Sequence, residues 1–238
     1  MSPATRTGST RTRARVRRTT RRPVRSSAPR WSRRKELRPG EILAAALEQF
    51  VERGYAATKL EDVARRAGIT KGAMYRYYDS KEALFKAMVL EMVVPHVEHF
   101  EREVSSSSAS ARDLLTAFAH GWVERVYSSP VSGLAKLMVA EASNFPDLAS
   151  FYHEEVIARS ARALTRLLER GVQRGEFRPL DMQSAVVILR APLILMAIWK
   201  HSLLRCDPKI LDESRYVETY LDMMMNGLLA PPAELHRE

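Results

Sequence analysis

The feature that most constrains this chain is a pair of short helical patterns separated by a tight turn at Gly68. The first pattern opens at Thr58, which has capping-box spacing with Glu61, so that each side chain satisfies the other residue's free amide. Gly68 supplies the positive φ that a tight turn needs. Thr70 can then cap a second short helix, Lys71–Tyr77. Two short helices joined in this way are typical of a helix-turn-helix, whose second helix enters the major groove of DNA.

The rest of the chain from Pro39 onward also has helical periodicity, with no alternating strand-like stretch and no internal repeat. An apolar stripe with Pro in the first turn and Gly54 after the last predicts a helix over Pro39–Arg53. Ser80 is expected to cap a helix that begins at Lys81. Polar or Pro/Gly clusters separate the further predicted helices, which are Lys81–Val104, Ala111–Tyr127, Val131–Ala142, Pro146–Arg174, Asp181–Leu203 and Asp212–Leu229. The predicted fold class is therefore all-α.

Two features of the composition limit the compartment. The chain has one cysteine, Cys206, so it has no internal disulfide framework, and we expect a reducing cytoplasm. The longest apolar run, Ala185–Trp199, contains Arg190 and Pro192 and is shorter than the roughly 20 residues that a membrane span needs. We therefore interpret this run as a buried helix or an interface.

The net charge of +10 is concentrated at one end of the chain. Residues 1–35 contain twelve arginines, one lysine and no acid, which leaves residues 36–238 with a net charge of −3. A segment this polar cannot bury enough apolar surface to offset the entropy lost on ordering. We therefore expect it to be disordered on its own. It is interpreted as an arm that lies along DNA, as a solvated extension or misassigned start, or as a transit peptide.

The residues around Gly68 also carry a family resemblance. Residues 58–85, TKLEDVARRAGITKGAMYRYYDSKEALF, resemble the signature of the tetracycline-repressor (TetR) family nearly position for position. The likeness is strong from Arg38 to about Val93, and the pattern Tyr-x-Tyr-Tyr-x-Ser-Lys-Glu-x-Leu makes it specific. Residues 145–180, which end in RGVQRGEFRPL, are similar to the family's long seventh helix and its exit.

This resemblance implies nine helices, three in a DNA-binding head and the rest in a helical domain for ligand binding and dimerisation. We expect a tail over 1–35, a head over 36–96 with its motif at 59–78, and an effector and dimerisation domain over 97–232. The implied protein is a cytoplasmic homodimer that binds double-stranded operator DNA. It is expected to be a repressor released by a small-molecule effector, with no cofactor, metal or membrane partner.

The expected DNA contacts lie on and around the second helix of the motif. Arg76 is the best candidate for a hydrogen bond to a base edge, and Ala73 can touch a thymine methyl group. Tyr78 falls on the same face as Met74 at i, i+4 spacing, so we expect it to pack rather than to bind DNA. The full set of predicted DNA contacts is Thr58, Thr70, Lys71, Gly72, Ala73, Tyr75, Arg76, Tyr77 and Lys81.

Two further sets of residues are proposed for the C-terminal domain. Effector cavities are mostly apolar with few polar groups, and the predicted lining is Phe118, His120, Trp122, Met138, Phe151, Met196 and Trp199. The last two helices are expected to form a four-helix bundle with their twins. The predicted dimer residues are Val186, Leu189, Leu193, Tyr216, Tyr220, Met224 and Leu228.

Two other classes of function remain open at this point. An enzyme is disfavoured because no catalytic triad, nucleophile elbow or phosphate loop is present. His96 and His99 supply at most two metal ligands, and no third ligand is identifiable. A ligand-independent architectural protein is the other alternative, and a large apolar cavity would count against it. Ligand control is expected to pass through a kink near Pro95, or else Pro95 marks a break between two separate helices.

Overall fold

The structure, a computed structural model, describes residues 39–207 and 211–229. Eleven α-helical segments lie in these ranges, and Phe177 and Leu229 form an isolated antiparallel bridge. The Arg-rich arm expected over residues 1–35 lies outside the described residues. The helices are α1 Pro39–Arg53, α2 Leu60–Arg66, α3 Lys71–Tyr77, α4 Lys81–Met92, α5 Val94–Ser106, α6 Ala111–Trp122, α7 Gly133–Glu141, α8 Pro146–Tyr152, α9 Arg159–Gln173, α10 Met182–Lys200 and α11 Glu213–Leu228.

Counting α4 together with α5 and α8 together with α9, these segments form nine rods within the described part of the chain. Helices α8 and α9 are joined by the π-helical turn His153–Ala158, and only Val93 separates α4 from α5. A second π-helical turn, Val123–Tyr127, prolongs α6. The expected all-α fold with nine helices is therefore confirmed, although the predicted single helix Lys81–Val104 is divided at Val93.

The N-terminal core is built by α1 to α4 and continues into α7 and α8. Phe50 and Phe85 are fully buried and lie edge to face, with ring centroids 5.9 Å apart. Met74 of α3 is also fully buried in this cluster, which includes Leu134 of α7 and Leu148 of α8. The head therefore shares one core with the helices that follow it.

The start of α2 differs from the predicted capping box. The N-cap is Lys59, without a side-chain cap. The Thr58 side chain is 1% exposed, and its hydroxyl donates to the Gly54 carbonyl at 2.7 Å and to the Gln49 carbonyl at 3.3 Å. Thr58 therefore fixes the end of α1 to the loop before α2. Gly54 adopts a φ of +86° in that loop, as an L side chain rarely does.

The C-terminal core lies between α5, α6, α9, α10 and α11. Its buried side chains include Phe100, Leu115, Leu164 and Leu189. Gly171 permits α9 to lie close to the segment that follows it, since a Cβ there would overlap the ring of Phe177, 2.6 Å from its Cε2 atom. The long helices thus form a bundle that surrounds the cavity described below.

Helix α10 has an apolar surface on both its inner and its outer face. Among the described helices it alone is long and apolar enough to cross a membrane by length and composition, with 28% of that stretch buried. Pro192 lies inside it. Large apolar side chains on its outer face, among them Val187 and Ile188, remain more than half exposed.

Candidate nucleic-acid interface and effector cavity

Helix α3 has a polar outer face and packs against the core through its opposite side. Thr70 caps it by accepting a hydrogen bond from the Ala73 amide at 3.2 Å. Met74 points into the core, whereas Tyr75 and Tyr77 are 41% and 46% exposed. Arg76, Lys71 and Gly72 are exposed as well, and Ala73 is half-buried. Tyr78 is half-buried against the core, as expected, and burial raises its pKa.

An acidic residue of α2 holds two side chains of this face. The Glu61 carboxylate lies 2.8 Å from the Lys71 ammonium and accepts a hydrogen bond from the Tyr75 hydroxyl at 3.3 Å. Hydrogen bonding to Lys71 keeps the pKa of Glu61 below its usual value. Sequence reasoning assigned Glu61 to a capping box and missed this contact, although the ten-residue separation from Lys71 spans the turn between the two helices.

Two residues predicted to contact DNA are positioned for other tasks. Thr58 is buried, so its hydroxyl cannot reach a phosphate. The Lys81 ammonium donates to the carbonyls of Tyr55 at 2.6 Å and Ala56 at 3.1 Å, and lies 4.4 Å from the centre of the Tyr55 ring. Burial lowers the pKa of Lys81. Lys81 therefore ties the start of α4 to the loop between α1 and α2, because carbonyl oxygens satisfy its ammonium within the protein.

The same loop is held from the other side by Glu141, the last residue of α7. This side chain is buried, and its carboxylate accepts a hydrogen bond from the Ala56 amide at 3.2 Å. A Cβ at Gly54 would lie 2.9 Å from the same carboxylate oxygen, so glycine makes the close approach possible. The only sign of this contact in the sequence is one acidic residue at the end of a mostly apolar helix, and no motif marks it.

A cavity of about 310 Å³ lies between α5, α6, α7, α10 and the two π-helical turns. Phe118, Trp122 and Met138, three of the seven predicted effector residues, line it. His120 is exposed on the surface, and Phe151 packs against the N-terminal core with Lys86 5.4 Å from its ring.

Two other predicted effector residues also lie away from the cavity. Met196 is 1% exposed and packs beside Tyr127. Trp199 is half-buried and does not belong to the lining. Their apolar side chains follow helical spacing because they fill the core, which is the usual reason for such a pattern.

Three of the residues that line the cavity are basic: Arg190, Arg125 and His96. Arg190 of α10 donates to the Ile157 carbonyl at 3.4 Å, and burial lowers its pKa. Arg125 lies on the first π-helical turn, and His96 lies near the start of α5. Burial and the nearby Arg125 charge lower the pKa of His96, so its imidazole is neutral at pH 7.

The predicted dimer residues turn out to face inward. Val186, Leu189, Leu193, Tyr220 and Leu228 are buried within the protomer. The hydroxyls of Tyr216 and Tyr220, both in the predicted set, donate to the carbonyls of Pro192 and Leu189, respectively. Met224, also from the predicted set, is half-buried against the same core. The prediction therefore chose the wrong face of the two helices: these residues join α11 to α10 within the protomer.

A different set of apolar side chains faces outward on the same two helices. Val187, Ile188 and Met223 are 61%, 56% and 63% exposed, and Leu195 is 45% exposed. Ala191 lies between them on α10 and is also exposed. We call these five residues the outer face of α10 and α11. Exposed apolar patches are typical of interaction sites.

Comparison with known proteins gives matches along most of the described chain. Residues 42–88 match the family profile "Bacterial regulatory proteins, tetR family", and residues 107–214 match "Tetracyclin repressor-like, C-terminal domain". The transcriptional repressor KstR2 of Rhodococcus jostii is 27% identical over 193 residues, which are 80% of this chain and 91% of that protein.

Solved structures have the same architecture. The fatty acid degradation regulator FadR from Bacillus halodurans superposes with a TM-score of 0.68 at 19% identity, covering 80% of this chain and all of that one. The ketosteroid regulator KstR2 of Mycobacterium tuberculosis gives a TM-score of 0.65 at 21% identity, with coverage of 81% and 95%. At these identities the likeness establishes a shared fold.

Proposed function

The chain belongs to the tetR family of bacterial regulatory proteins, and from this premise we propose that it is a homodimeric repressor whose operator affinity a small molecule controls. The observation that carries the proposal is α3, a capped short helix fixed by Met74 with its polar face outward, inside the segment that matches the family. Residues 36–96 act as the DNA-binding head, and residues 97–232 as the effector and dimerisation domain.

In this proposal α3 enters the major groove. Arg76 donates to a base edge, Tyr75 and Tyr77 reach phosphates or bases, and the small residues Gly72 and Ala73 let the backbone approach closely. Phosphate contacts set the position of the head, and base contacts supply sequence specificity. The ion pair with Glu61 weakens the attraction of Lys71 to a phosphate, because the carboxylate already neutralises part of its charge.

We assign dimerisation to the outer face of α10 and α11. Its five apolar side chains are exposed in the protomer and lie on two adjacent helices, which suits a four-helix bundle with a second copy. A twofold dimer then presents two copies of α3 to a near-palindrome, with half-sites about one helical turn apart or slightly more.

The cavity supports control by a small molecule and counts against a purely architectural protein. Its volume of about 310 Å³ lies at the lower end of the ~300–1,000 Å³ range of ligand sites. Val93, at the break between α4 and α5, lines it, as does Met138 on the helix that ends at Glu141. A bound ligand would therefore contact both connections between the bundle and the head, namely the α4–α5 junction and α7. A regulator of this kind acts on the bacterial chromosome in the cytoplasm.

Selection of genomic DNA by the purified full-length protein tests this function. We expect enrichment of a small set of near-palindromic sites, and tight binding to such a site in a mobility-shift assay with little binding to its scrambled version. The variant Arg76→Ala is the control that should lose this discrimination. Equal affinity for selected and scrambled DNA would refute a sequence-specific regulator.

A further inference from the structure

We propose that the cavity binds an amphipathic anion, an organic acid whose apolar tail lies along the aromatic wall and whose charged head is neutralised by Arg190 and Arg125. This inference rests on the proposed function, since it names the chemical class of the effector. Its basis is the pairing of an apolar enclosure with two arginines that face into it.

The wall of the cavity is mostly carbon. Phe100 and Phe118 lie in contact, with ring centroids 4.5 Å apart, and Trp122, Leu193 and Ile194 continue the surface. A flexible hydrocarbon tail fills such a space favourably because apolar area leaves water. A small, highly polar molecule would leave this wall unsatisfied, and the tail of the occupant is therefore apolar.

The charge in the cavity has one sign. Of the residues described, those that line it include two cations, Arg125 and Arg190, beside the neutral His96, but no aspartate or glutamate. A buried guanidinium is costly unless a counter-charge or several acceptors satisfy it. An anionic head supplies that counter-charge, whereas a cationic ligand would meet two like charges.

The two guanidinium groups have donors to spare. Within the described chain, the hydrogen bond recorded for the Arg190 side chain is the long one to Ile157, and no hydrogen bond or ion pair is recorded for the Arg125 side chain. Each guanidinium has five donors in a planar fork that matches a carboxylate. Most of these donors are therefore free to bind the head group.

Gly121 makes room for the Arg125 head. A Cβ at this position would overlap the guanidinium, lying 2.7 Å from its Cζ and 2.8 Å from Nη1. Arg125 and Val126 sit on the first π-helical turn, and Val156 and Ile157 sit on the second. Such turns re-aim side chains and are frequent at functional sites. Both turns of this bundle thus contribute to one cavity.

Isothermal titration of the full-length protein tests the head-group preference. The probes are octanoate and dodecanoate, each below its micelle concentration, with dodecanol and dodecyltrimethylammonium as neutral and cationic matches. We expect at least one of the two acids to bind about tenfold or more tightly than the alcohol, because charge-assisted hydrogen bonds are the strong ones. The ammonium probe should bind more weakly still. Equal or tighter binding of the alcohol or the cation, or no binding of either acid, would overturn the inference.

Three variants locate the head group. Arg190→Gln and Arg125→Gln should each reduce acid binding about tenfold while leaving alcohol binding unchanged, and Gly121→Ala should act in the same direction by displacing Arg125. Arg112→Gln, at an exposed arginine of α6 outside the cavity, is the matched control and should bind as wild type does. If both Gln variants keep the full preference for the acid, the arginines do not hold the head.

Operator binding by the same ligand-free preparations separates this inference from the proposed function. Wild type and Arg190→Gln should both shift the selected DNA, which also shows that the variant is folded. Specific DNA binding without acid binding would overturn the ligand class alone. Absence of specific DNA binding by wild type would instead refute the regulator.

Discussion

At the scale of single residues, Arg76 and Tyr75 are expected to matter because both are exposed on a helix whose inner side is held by Met74. We expect Arg76→Ala to weaken operator binding by about 1–3 kcal/mol, the usual value of a base contact, without unfolding the protein. Tyr75→Phe should weaken it as well. Titration against operator and random DNA, with circular dichroism as the folding control, measures this. Unchanged operator affinity in both variants would contradict the placement of α3.

Glu61 has the opposite expected effect. Its carboxylate occupies Lys71 and Tyr75 and sits where phosphates should approach. Glu61→Gln should free both side chains and remove a repelling charge, so affinity for operator and random DNA should rise severalfold. Arg65 pairs with Asp62 on the same helix, and Asp62→Asn is the matched control on α2. A drop in affinity for Glu61→Gln would mean that its contact instead preorganises α3.

Residue roles were predictable where local geometry alone decides them. The caps at Thr70 and Ser80, the buried Met74 and the half-buried Tyr78 all follow from helical spacing, and the structure agrees. Thr58 and Lys81 were assigned to DNA by resemblance, and the structure instead directs both to backbone carbonyls. Such contacts depend on how the chain folds back on itself, which spacing does not encode.

At the scale of elements, α7 connects the cavity to the head through Glu141. We expect Glu141→Ala to destabilise the protein by about 1–3 kcal/mol, because the Ala56 amide loses its acceptor. Glu141→Gln retains an acceptor oxygen and should recover most of that loss. Thermal unfolding of the two variants measures the difference. Equal melting temperatures for Ala and wild type would show that the loop does not need this contact.

The junction between α4 and α5 carries a second prediction. Pro95 lies in the first turn of α5 and cannot donate to the Glu91 carbonyl four residues back, so the ladder is interrupted beside Val93. The structure has an interruption here but no extended loop: α4 ends at Met92, α5 begins at Val94, and Val93 between them keeps right-handed helical dihedral angles. Pro95→Ala permits a continuous helix and should reduce the loss of operator affinity that ligand causes, with ligand affinity less affected.

A mobility shift with and without bound ligand measures that coupling, and each tenfold change corresponds to about 1.4 kcal/mol. Leu90→Ala is a suitable control, since Leu90 is exposed on α4 and does not line the cavity. If Pro95→Ala responds to ligand as wild type does, the α4–α5 junction does not transmit the signal.

Helix positions were more predictable than helix faces. The bounds of α1 and α3 agree with the sequence-based expectation because Pro39, Gly54 and Thr70 mark them locally. The inward and outward faces of α10 were exchanged, since both are apolar and periodicity cannot rank them. The same ambiguity explains why Met196 and Trp199 were assigned to the cavity: a core side chain and a ligand-binding one look alike in sequence.

At the scale of the whole molecule, the outer face of α10 and α11 should hold two protomers together. Replacing Val187 by Glu should yield a folded monomer, because the charge lies on the surface of the protomer and disrupts only the apolar contact with the second copy. Leu189→Glu at a buried neighbour should unfold the chain instead. Light scattering and circular dichroism distinguish these outcomes. A Val187→Glu protein that remains dimeric would exclude this face as the interface.

Dimerisation through that exposed face would also set how the regulator responds to its own abundance. A protomer that binds an operator half-site alone gains one set of contacts, while a pair gains two, so DNA selects the pair. When the protomer concentration lies below the dimer dissociation constant, the amount of dimer follows roughly the square of that concentration by mass action. Halving expression would then cut operator occupancy about fourfold at low occupancy. The copy number of the regulator's gene, as well as the effector, would therefore determine when the controlled promoter becomes active.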